Sequence, residues 1–132
     1  MITSISSTFE IKSWKEAPFN ELEGAPKLVR ASVSKAYRGE IEGEGALEYL
    51  MIYNVDGSAT YIGYERVVGK IGARSGSFVL EDKGVFEAGM AKSSLRVMPN
   101  SGAGELSGLR GEGSYATGHA KEHAMTFAYE IE

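Results

Sequence analysis

The sequence contains no cysteine among its 132 residues. Disulfide bonds and thiolate metal ligands are therefore excluded, and nothing in the composition requires an oxidising compartment. The amino terminus lacks the basic start and apolar core of a signal peptide, and the apolar runs elsewhere are too short to cross a membrane as a helix. We therefore expect a cytoplasmic protein that has no membrane partner.

A strong excess of positive charge is also missing. The chain has 14 Lys and Arg against 18 Asp and Glu, which gives a formal net charge of −4. The basic residues are scattered singly, whereas nucleic-acid binding needs clustered cations. We expect no nucleic-acid partner, and the length predicts one domain over residues 1–132.

Windows with sustained helical periodicity are rare, because the chain has 17 glycines and few runs of helix-forming residues. Alternating runs bounded by turn residues instead predict about eight strands. These runs are 5–14, 27–38, 41–54, 59–71, 74–82, 85–98, 109–117 and 123–131. An array of consecutive hairpins without covering helices must hide its edges. The fold class that we predict is all-β, a closed antiparallel barrel of about eight strands, mostly a meander.

The short connections predict which side chains share a face. A two-residue Asp-Gly turn at 56–57 places Glu48 directly opposite Glu65. A similar turn at 72–73 places Glu65 beside Leu80. A turn at 39–40 brings Ala31 opposite Glu48. We therefore predict that two carboxylates meet on one mostly apolar face.

We take this face as the barrel interior. Its remaining predicted members are Val29, Val33, Ala46, Leu50, Ile52, Val67, Phe78, Met125, Phe127, Tyr129 and Ile131. Residues 85–98 stay open, because a two-residue turn at 83–84 buries the odd positions and a three-residue turn buries the even ones. Trp14 is predicted to point outward.

Glu48 and Glu65 are the candidate catalytic pair. Two carboxylates in an apolar interior cannot easily both ionise, so one could hold a proton at neutral pH and serve acid–base chemistry. As a ligand site, the same pair is joined by Phe78, Leu80 and Tyr129. The alternative is structural: a neighbour such as Lys35 satisfies the carboxylates.

The opposite face carries an apolar and aromatic stripe that a solvated wall does not need. We expect a homo-oligomer, a dimer or trimer, that associates through Tyr49, Met51, Ile62 and Tyr64.

Two further motifs resemble ligand-binding sites, but the predicted barrel does not give either of them the helix that such a site needs. The glycine-rich segment 69–84 resembles a phosphate-binding loop, yet no helix follows it to receive a phosphate. His119 and His123 have a spacing that suits zinc only on a helix, and this segment is predicted to be a loop entering a strand. We predict no metal and no cofactor.

Several longer stretches resemble one known family. They are SWKEAPF, RASVSKAYRGEIEGEGALEYLM, YIGYERVVGKIGARSGSFVLEDKGVFEAG and PNSGAGELSGLRGEGSY. Together they resemble a bacterial family of uncharacterised small proteins grouped with the allene oxide cyclase-like barrels. The resemblance implies an eight-stranded antiparallel barrel, often oligomeric, in a superfamily where some members cyclise or bind apolar molecules. It implies no activity for this family, and no catalytic residue is carried over.

Three functions remain. The first is binding of a small, mainly apolar molecule inside the barrel. The second is a cofactor-independent cyclase or isomerase that uses the carboxylate pair, and the third is a structural oligomer with a filled core. A cavity of roughly 300 Å³ or more that reaches Glu65 would favour the first two.

Overall fold

The computed structural model describes residues 1–118 and 120–132, and it is all-β in those residues. His119, one half of the predicted histidine motif, lies outside the described residues. The strands are β1 (Thr3–Asn20), β2 (Lys27–Gly39), β3 (Ile41–Tyr53), β4 (Ala59–Ile71), β5 (Arg74–Glu87), β6 (Met90–Val97), β7 (Ala103–Gly104), β8 (Leu109–Thr117) and β9 (Glu122–Ile131).

Antiparallel pairing follows the chain order and then closes on itself. Each strand from β1 to β5 pairs with the next, β6 pairs with β8, β8 with β9, and β9 returns to β1. The two-residue strand β7 lies against β5. The result is a closed eight-stranded antiparallel barrel, which confirms the predicted fold class.

The β4–β5 hairpin has the predicted register. Ile71 pairs with Arg74, and Glu65 pairs with Leu80. Further along this hairpin Gly69 pairs with Gly76, and Gly69 also pairs with Gly43 of β3. A Cβ at Gly69 would lie 2.7 Å from the Gly43 Cα. These glycines therefore allow close approach of the strand backbones, and the segment is a hairpin, as predicted.

The predicted β3–β4 register is wrong by one residue. Tyr53 pairs with Ala59, so the connection has five residues and not two. The Asp56 carboxylate accepts hydrogen bonds from the Ser58 N–H at 2.9 Å and the Ser58 hydroxyl at 2.6 Å, which stabilises this longer loop. A shift of one residue moves every side chain of β3 to the other face.

The β2–β3 register shifts in the same way, because Val33 pairs with Leu47 and not with Ala46. Of the predicted interior residues, Ala46, Leu50 and Ile52 therefore lie on the outer face. The interior positions of β3 belong to Leu47 and its alternate neighbours. The other predicted interior residues are buried or partly buried, namely Val29, Ala31, Val33, Val67, Phe78, Leu80, Met125, Phe127, Tyr129 and Ile131.

Strand β5 continues through the predicted turn at 83–84 and ends at Glu87, which pairs with Met90. The turn is at residues 88–89, where Ala88 and Gly89 have φ angles of 52° and 76°. The odd positions of β6 are buried, as one of the two predicted alternatives required, although neither alternative placed the turn correctly.

Strand β1 is longer than predicted and changes face midway. It runs past Pro18 to Asn20, and its pairing with β2 is irregular between Ile11 and Ser13. Because of this bulge, Trp14 pairs with the buried Val33, and its ring faces the barrel interior, with its centroid 5.9 Å from that of Tyr49. The prediction that Trp14 points outward is therefore wrong.

Among the residues described, none belongs to a helix long and apolar enough to span a bilayer.

Candidate functional site

The barrel interior has two different ends. The end that carries the β2–β3 and β4–β5 turns is occupied by a cluster of buried apolar side chains, and we call it the filled end. Leu106, from the connection between β6 and β8, is fully buried there. Its core includes Ile41, Val67, Ile71, Phe78, Leu80, Val97, Leu106, Leu109 and Phe127.

The opposite end, which we call the open end, contains a cavity of about 330 Å³. It lies beside the β3–β4 loop, the β5–β6 turn and the β8–β9 connection. Its polar lining residues include Lys35, Thr117 and His123. Seven of its lining side chains are aromatic, namely Phe9, Trp14, Tyr49, Tyr53, Tyr61, Phe86 and Tyr115.

Unequal strand lengths leave the cavity accessible. Strand β9 begins at Glu122, which pairs with Glu10, while β1 continues for ten more residues to Asn20. In the described part of the chain, this extension pairs only with β2. The wall is therefore incomplete beside Trp14, whose exposed fraction is 41% although it lines the cavity.

Three charged side chains meet beneath the floor of the cavity, and we call them the charged cluster. Of the three, Lys35 lines the cavity, whereas Glu65 and Asp82 are not among its lining residues. The Lys35 Nζ lies 3.4 Å from Glu65 Oε1 and 3.7 Å from Asp82 Oδ2. The exposed fractions of these side chains are 2% for Lys35 and 0% for both acids. Buried charges need partners of opposite sign, and the lysine supplies one for both carboxylates.

Tyrosine hydroxyls complete the hydrogen bonding of the charged cluster. Tyr37 donates to Glu65 Oε2 at 2.6 Å, while Tyr49 and Tyr115 donate to Asp82 Oδ2 at 2.8 Å and 3.1 Å. Burial, together with the adjacent carboxylates, raises the pKa of Tyr37 well above its usual value. Burial likewise raises the pKa values of Tyr49 and Tyr115 well above the usual range. The three phenols therefore stay protonated and act as donors.

A glycine on β3 makes room for the Glu65 carboxylate. A Cβ at Gly45 would collide with Glu65 Oε2 and lie 3.1 Å from the Tyr37 ring. Gly45 is buried and pairs with Val67, next to Glu65 on the same wall. The sequence thus combines an interior acid with a facing residue that has no side chain.

With both carboxylates ionised and the lysine protonated, the charged cluster has a formal charge of −1. In the residues that the structure describes, Asp82 Oδ1 is buried and has no hydrogen-bond partner. The Lys35 Nζ lies 4.3 Å from the centroid of the Phe9 ring, which is close enough for a cation–π contact. An excess negative charge therefore lies next to the aromatic side chains that line the cavity.

A further acid stands at the rim. Glu16 Oε2 accepts hydrogen bonds from Trp14 Nε1 at 2.6 Å and from the Tyr53 hydroxyl at 2.8 Å. Desolvation, helped by the bond to Glu16, raises the pKa of Tyr53 to about 12. Glu16 thereby orients two of the aromatic side chains that line the cavity.

His123 lies on the cavity wall, and its Nδ1 is hydrogen bonded to the Thr117 hydroxyl. Its ring centroid lies 5.1 Å from that of Phe9. Burial, and to a lesser extent the positive charge of Lys35, lowers the pKa of His123. The imidazole is therefore neutral at pH 7. Within the described residues, no three His, Asp or Glu side chains are grouped closely enough to hold a metal ion.

The predicted pairing of Glu48 with Glu65 is wrong. Glu48 pairs with Tyr64 on the outer face, because the longer β3–β4 loop shifts the register by one residue. It accepts hydrogen bonds from Arg30 and Ser32, both at 2.8 Å, and these bonds lower its pKa. Glu65 is in the interior, where its charged partner is a lysine.

The other predicted ligand-binding residues lie away from the cavity. Phe78 and Leu80 are buried in the filled end, and Tyr129 packs against that core, with its ring centroid 6.0 Å from that of Phe127. The predicted association face is also divided. Ile62 and Tyr64 are on the outer wall, but Tyr49 and Met51 are interior, with exposed fractions of only 4% and 5%.

Sequence reasoning missed Asp82 and the three tyrosines. One signal was present: the β4–β5 register, which was predicted correctly, places Asp82 opposite Gly63 and on the same face as Leu80. Tyr49, on β3, could not be found while that strand was assigned the opposite face, and no separate signal in the sequence pointed to Tyr37 on β2 or Tyr115 on β8.

The fold and the site define a small antiparallel β-barrel with an aromatic-lined interior cavity over a buried charged cluster. Residues 5–129 match the family described as "Protein of unknown function (DUF3224)". The chain belongs to this family. It is similar to a solved structure of a DUF3224 protein with unknown function from Shewanella oneidensis MR-1, with 34% identity, a TM-score of 0.81, and coverage of 100% of this chain and 99% of that chain. No curated protein matches the chain.

Proposed function

We propose that this protein binds a small, mainly apolar molecule in the cavity at the open end. The observation that carries the proposal is the aromatic-lined volume of about 330 Å³. Ligand pockets of small molecules start near ~300 Å³ and combine apolar walls with a few polar groups. Here Lys35, Tyr49 and Tyr115 supply the polar groups at the floor.

The neutral dye N-phenyl-1-naphthylamine tests this proposal, because its fluorescence rises when it enters an apolar site. Ala91 lines the cavity, so Ala91→Phe should fill part of it and weaken dye binding by roughly tenfold or more, since the ring displaces ligand contacts worth more than ~1.4 kcal/mol. Ala46→Phe is the matched control, because Ala46 is exposed on the outer wall. Dye binding that is absent, or equal in both variants, would contradict the proposal.

A cofactor-independent isomerase is the second candidate. One observation favours it: the hydroxyls of Tyr49 and Tyr115 lie 3.2 Å apart at the cavity floor, and both donate to Asp82. Each phenol has one proton, which it donates to Asp82, so it could stabilise a developing negative charge on a substrate only by turning that proton from Asp82 to the substrate. Turnover of a ligand found in a screen should then fall far more than its binding in Tyr115→Phe. Equal effects on both would leave only a binding role.

We also propose that the protein self-associates, through the face that the observed register places on the outer wall. The outer wall of β3 and β4 carries Leu50, Ile52, Ile62 and Tyr64, with exposed fractions of 57%, 43%, 44% and 55%. A contiguous apolar patch of this kind is typical of an interaction site. Sedimentation should show a homo-oligomer that Ile62→Glu dissociates, with Val68→Glu, which is exposed on the same strand but pairs with Glu44 away from the patch, as the control. A monomeric wild-type protein would contradict this.

The closed meander and its one-ended cavity also support our proposal that the family belongs with the allene oxide cyclase-like barrels. A cytoplasmic location stays a prediction.

A further inference from the structure

We propose that the cavity selects an organic cation, an apolar amine or quaternary ammonium, over neutral or anionic molecules of the same shape. This inference rests on the proposed binding function and specifies its ligand class. The ligand's apolar part would lie among the aromatic side chains, and its cationic group would lie toward the charged cluster.

The count of charges around the cavity is the first argument. The charged cluster has one negative charge in excess, and Glu16 adds another at the rim, where it is bonded to Trp14 and Tyr53. His123 adds no positive charge at neutral pH. A cation entering the cavity would therefore be attracted from the floor and from the rim, and low-dielectric surroundings strengthen both interactions.

Lys35 lines the cavity and is the group that could instead attract an anion. Its ammonium is already shared between Glu65 and Asp82, at 3.4 Å and 3.7 Å. An anion would have to leave water and approach a cluster whose summed charge is negative. The shared ammonium therefore cannot compensate an anion for its lost hydration.

The second argument is Asp82 Oδ1, a buried carboxylate oxygen beneath the floor that accepts no hydrogen bond from the described residues. A buried carboxylate oxygen without a hydrogen bond is costly, and a cation nearby reduces that cost. The other oxygen of this carboxylate, Oδ2, already accepts hydrogen bonds from Tyr49 and Tyr115. Of the two acids in the charged cluster, Asp82 is therefore the one with a carboxylate oxygen that accepts no hydrogen bond from the described residues.

The aromatic wall is the third argument. Seven aromatic side chains line the cavity, and ring faces attract cations, ammonium ions in particular. Lys35 shows that this chemistry operates here, since its Nζ lies 4.3 Å from the Phe9 centroid and 5.3 Å from that of Tyr115. Neutral and anionic ligands gain no such attraction.

Three naphthalene probes of similar shape test the inference, namely 1-naphthylmethylammonium, 1-naphthalenemethanol and 1-naphthaleneacetate. Their affinities are measured by calorimetry at one ionic strength. We expect the ammonium to bind roughly tenfold more tightly than the alcohol, and the acetate to bind most weakly. If none of the three binds and the neutral dye does not bind either, the proposed function itself fails.

Asp82→Asn should reduce the affinity for the ammonium by about tenfold and change that for the alcohol little, because the amide oxygen can still accept from the two tyrosines. Glu16→Gln at the exposed rim should reduce the affinity for the ammonium by about threefold. This variant tests the inference if Asp82→Asn does not fold. Glu48→Gln makes the same charge change on the outer wall and should have no effect. Alcohol or acetate binding as tightly as the ammonium would overturn the inference while leaving the binding function intact, as would ammonium affinities unchanged in both cavity variants.

Discussion

The filled end and the open end of the barrel are built from the same strands, yet the cavity of about 330 Å³ lies at the open end. Both ends are rich in aromatic and aliphatic side chains, so composition does not distinguish them. At the filled end, the connection after β6 sends Leu106 into the interior. At the open end, β9 begins late and β1 continues without it. The difference shows that a cavity in a small barrel depends on where strands and connections end.

The largest expected effect comes from a comparison of two phenylalanines on strand β5. Phe78 is buried in the filled end, whereas Phe86 lines the cavity and is only half-buried. Phe78→Ala should lower the free energy of unfolding by ~3–5 kcal/mol, because it creates a void in a packed core. Phe86→Ala should cost about 1 kcal/mol, since the space beside it is already empty. Urea denaturation measures both, and similar losses would contradict the two-ended interior.

The charged cluster between the two ends gives the second test. Lys35→Met leaves Glu65 and Asp82 buried without their cation, which should cost ~3–5 kcal/mol of unfolding free energy. The control is Lys12→Met, because Lys12 is exposed on the same sheet and should change the free energy by less than about 0.5 kcal/mol. Denaturation of each variant at pH 7 checks this. A small effect for Lys35 would show that the carboxylates have other partners.

Gly45→Ala should have a moderate effect of ~1–3 kcal/mol, because the new methyl group would overlap the Glu65 carboxylate. In the double variant Gly45→Ala/Glu65→Ala the overlap disappears. Its loss of unfolding free energy should therefore be smaller than the sum of the two single losses. Strict additivity would mean that the glycine serves another purpose.

The smallest expected effect concerns pH at the open end. Because the pKa of His123 is lowered in the folded protein, the unfolded chain binds this proton first as the pH falls below ~6.5. The contribution of His123 to stability is therefore present above that pH and is lost as the pH falls toward its folded pKa. Melting temperatures from pH 7.5 to 5 should decline less in His123→Gln than in the wild type. Parallel curves would contradict this sign.

Much of the fold could be predicted from the sequence, and the reason is visible in β4 and β5. The Gly-Ala turn at 72–73 has the two-residue geometry that its residues suggest, so Val67, Phe78 and Leu80 were assigned to the interior correctly. Alternation then carries that assignment along both strands. Strand order and closure follow from the succession of short connections.

The site was not predictable to the same degree, because strand faces depend on counting loop residues. The Asp-Gly pair at 56–57 suggests a tight turn, but Ser58 bonds to Asp56 and lengthens the connection. The resulting shift of one residue in the β3–β4 register places Tyr49, and not Glu48, in the interior. The bulge near Lys12 reversed Trp14 in the same manner, and it leaves no clear signal in the sequence.

The extension of β1 beyond its pairing with β9 leaves backbone groups on one border of that strand without a strand partner in the described residues. Borders of this kind can recruit strands of other molecules and start fibrous aggregates. Here Lys12 and Lys15 place like charges along the border, and Pro18 has no N–H to donate. The same extension that gives access to the interior thus carries its own protection against polymerisation.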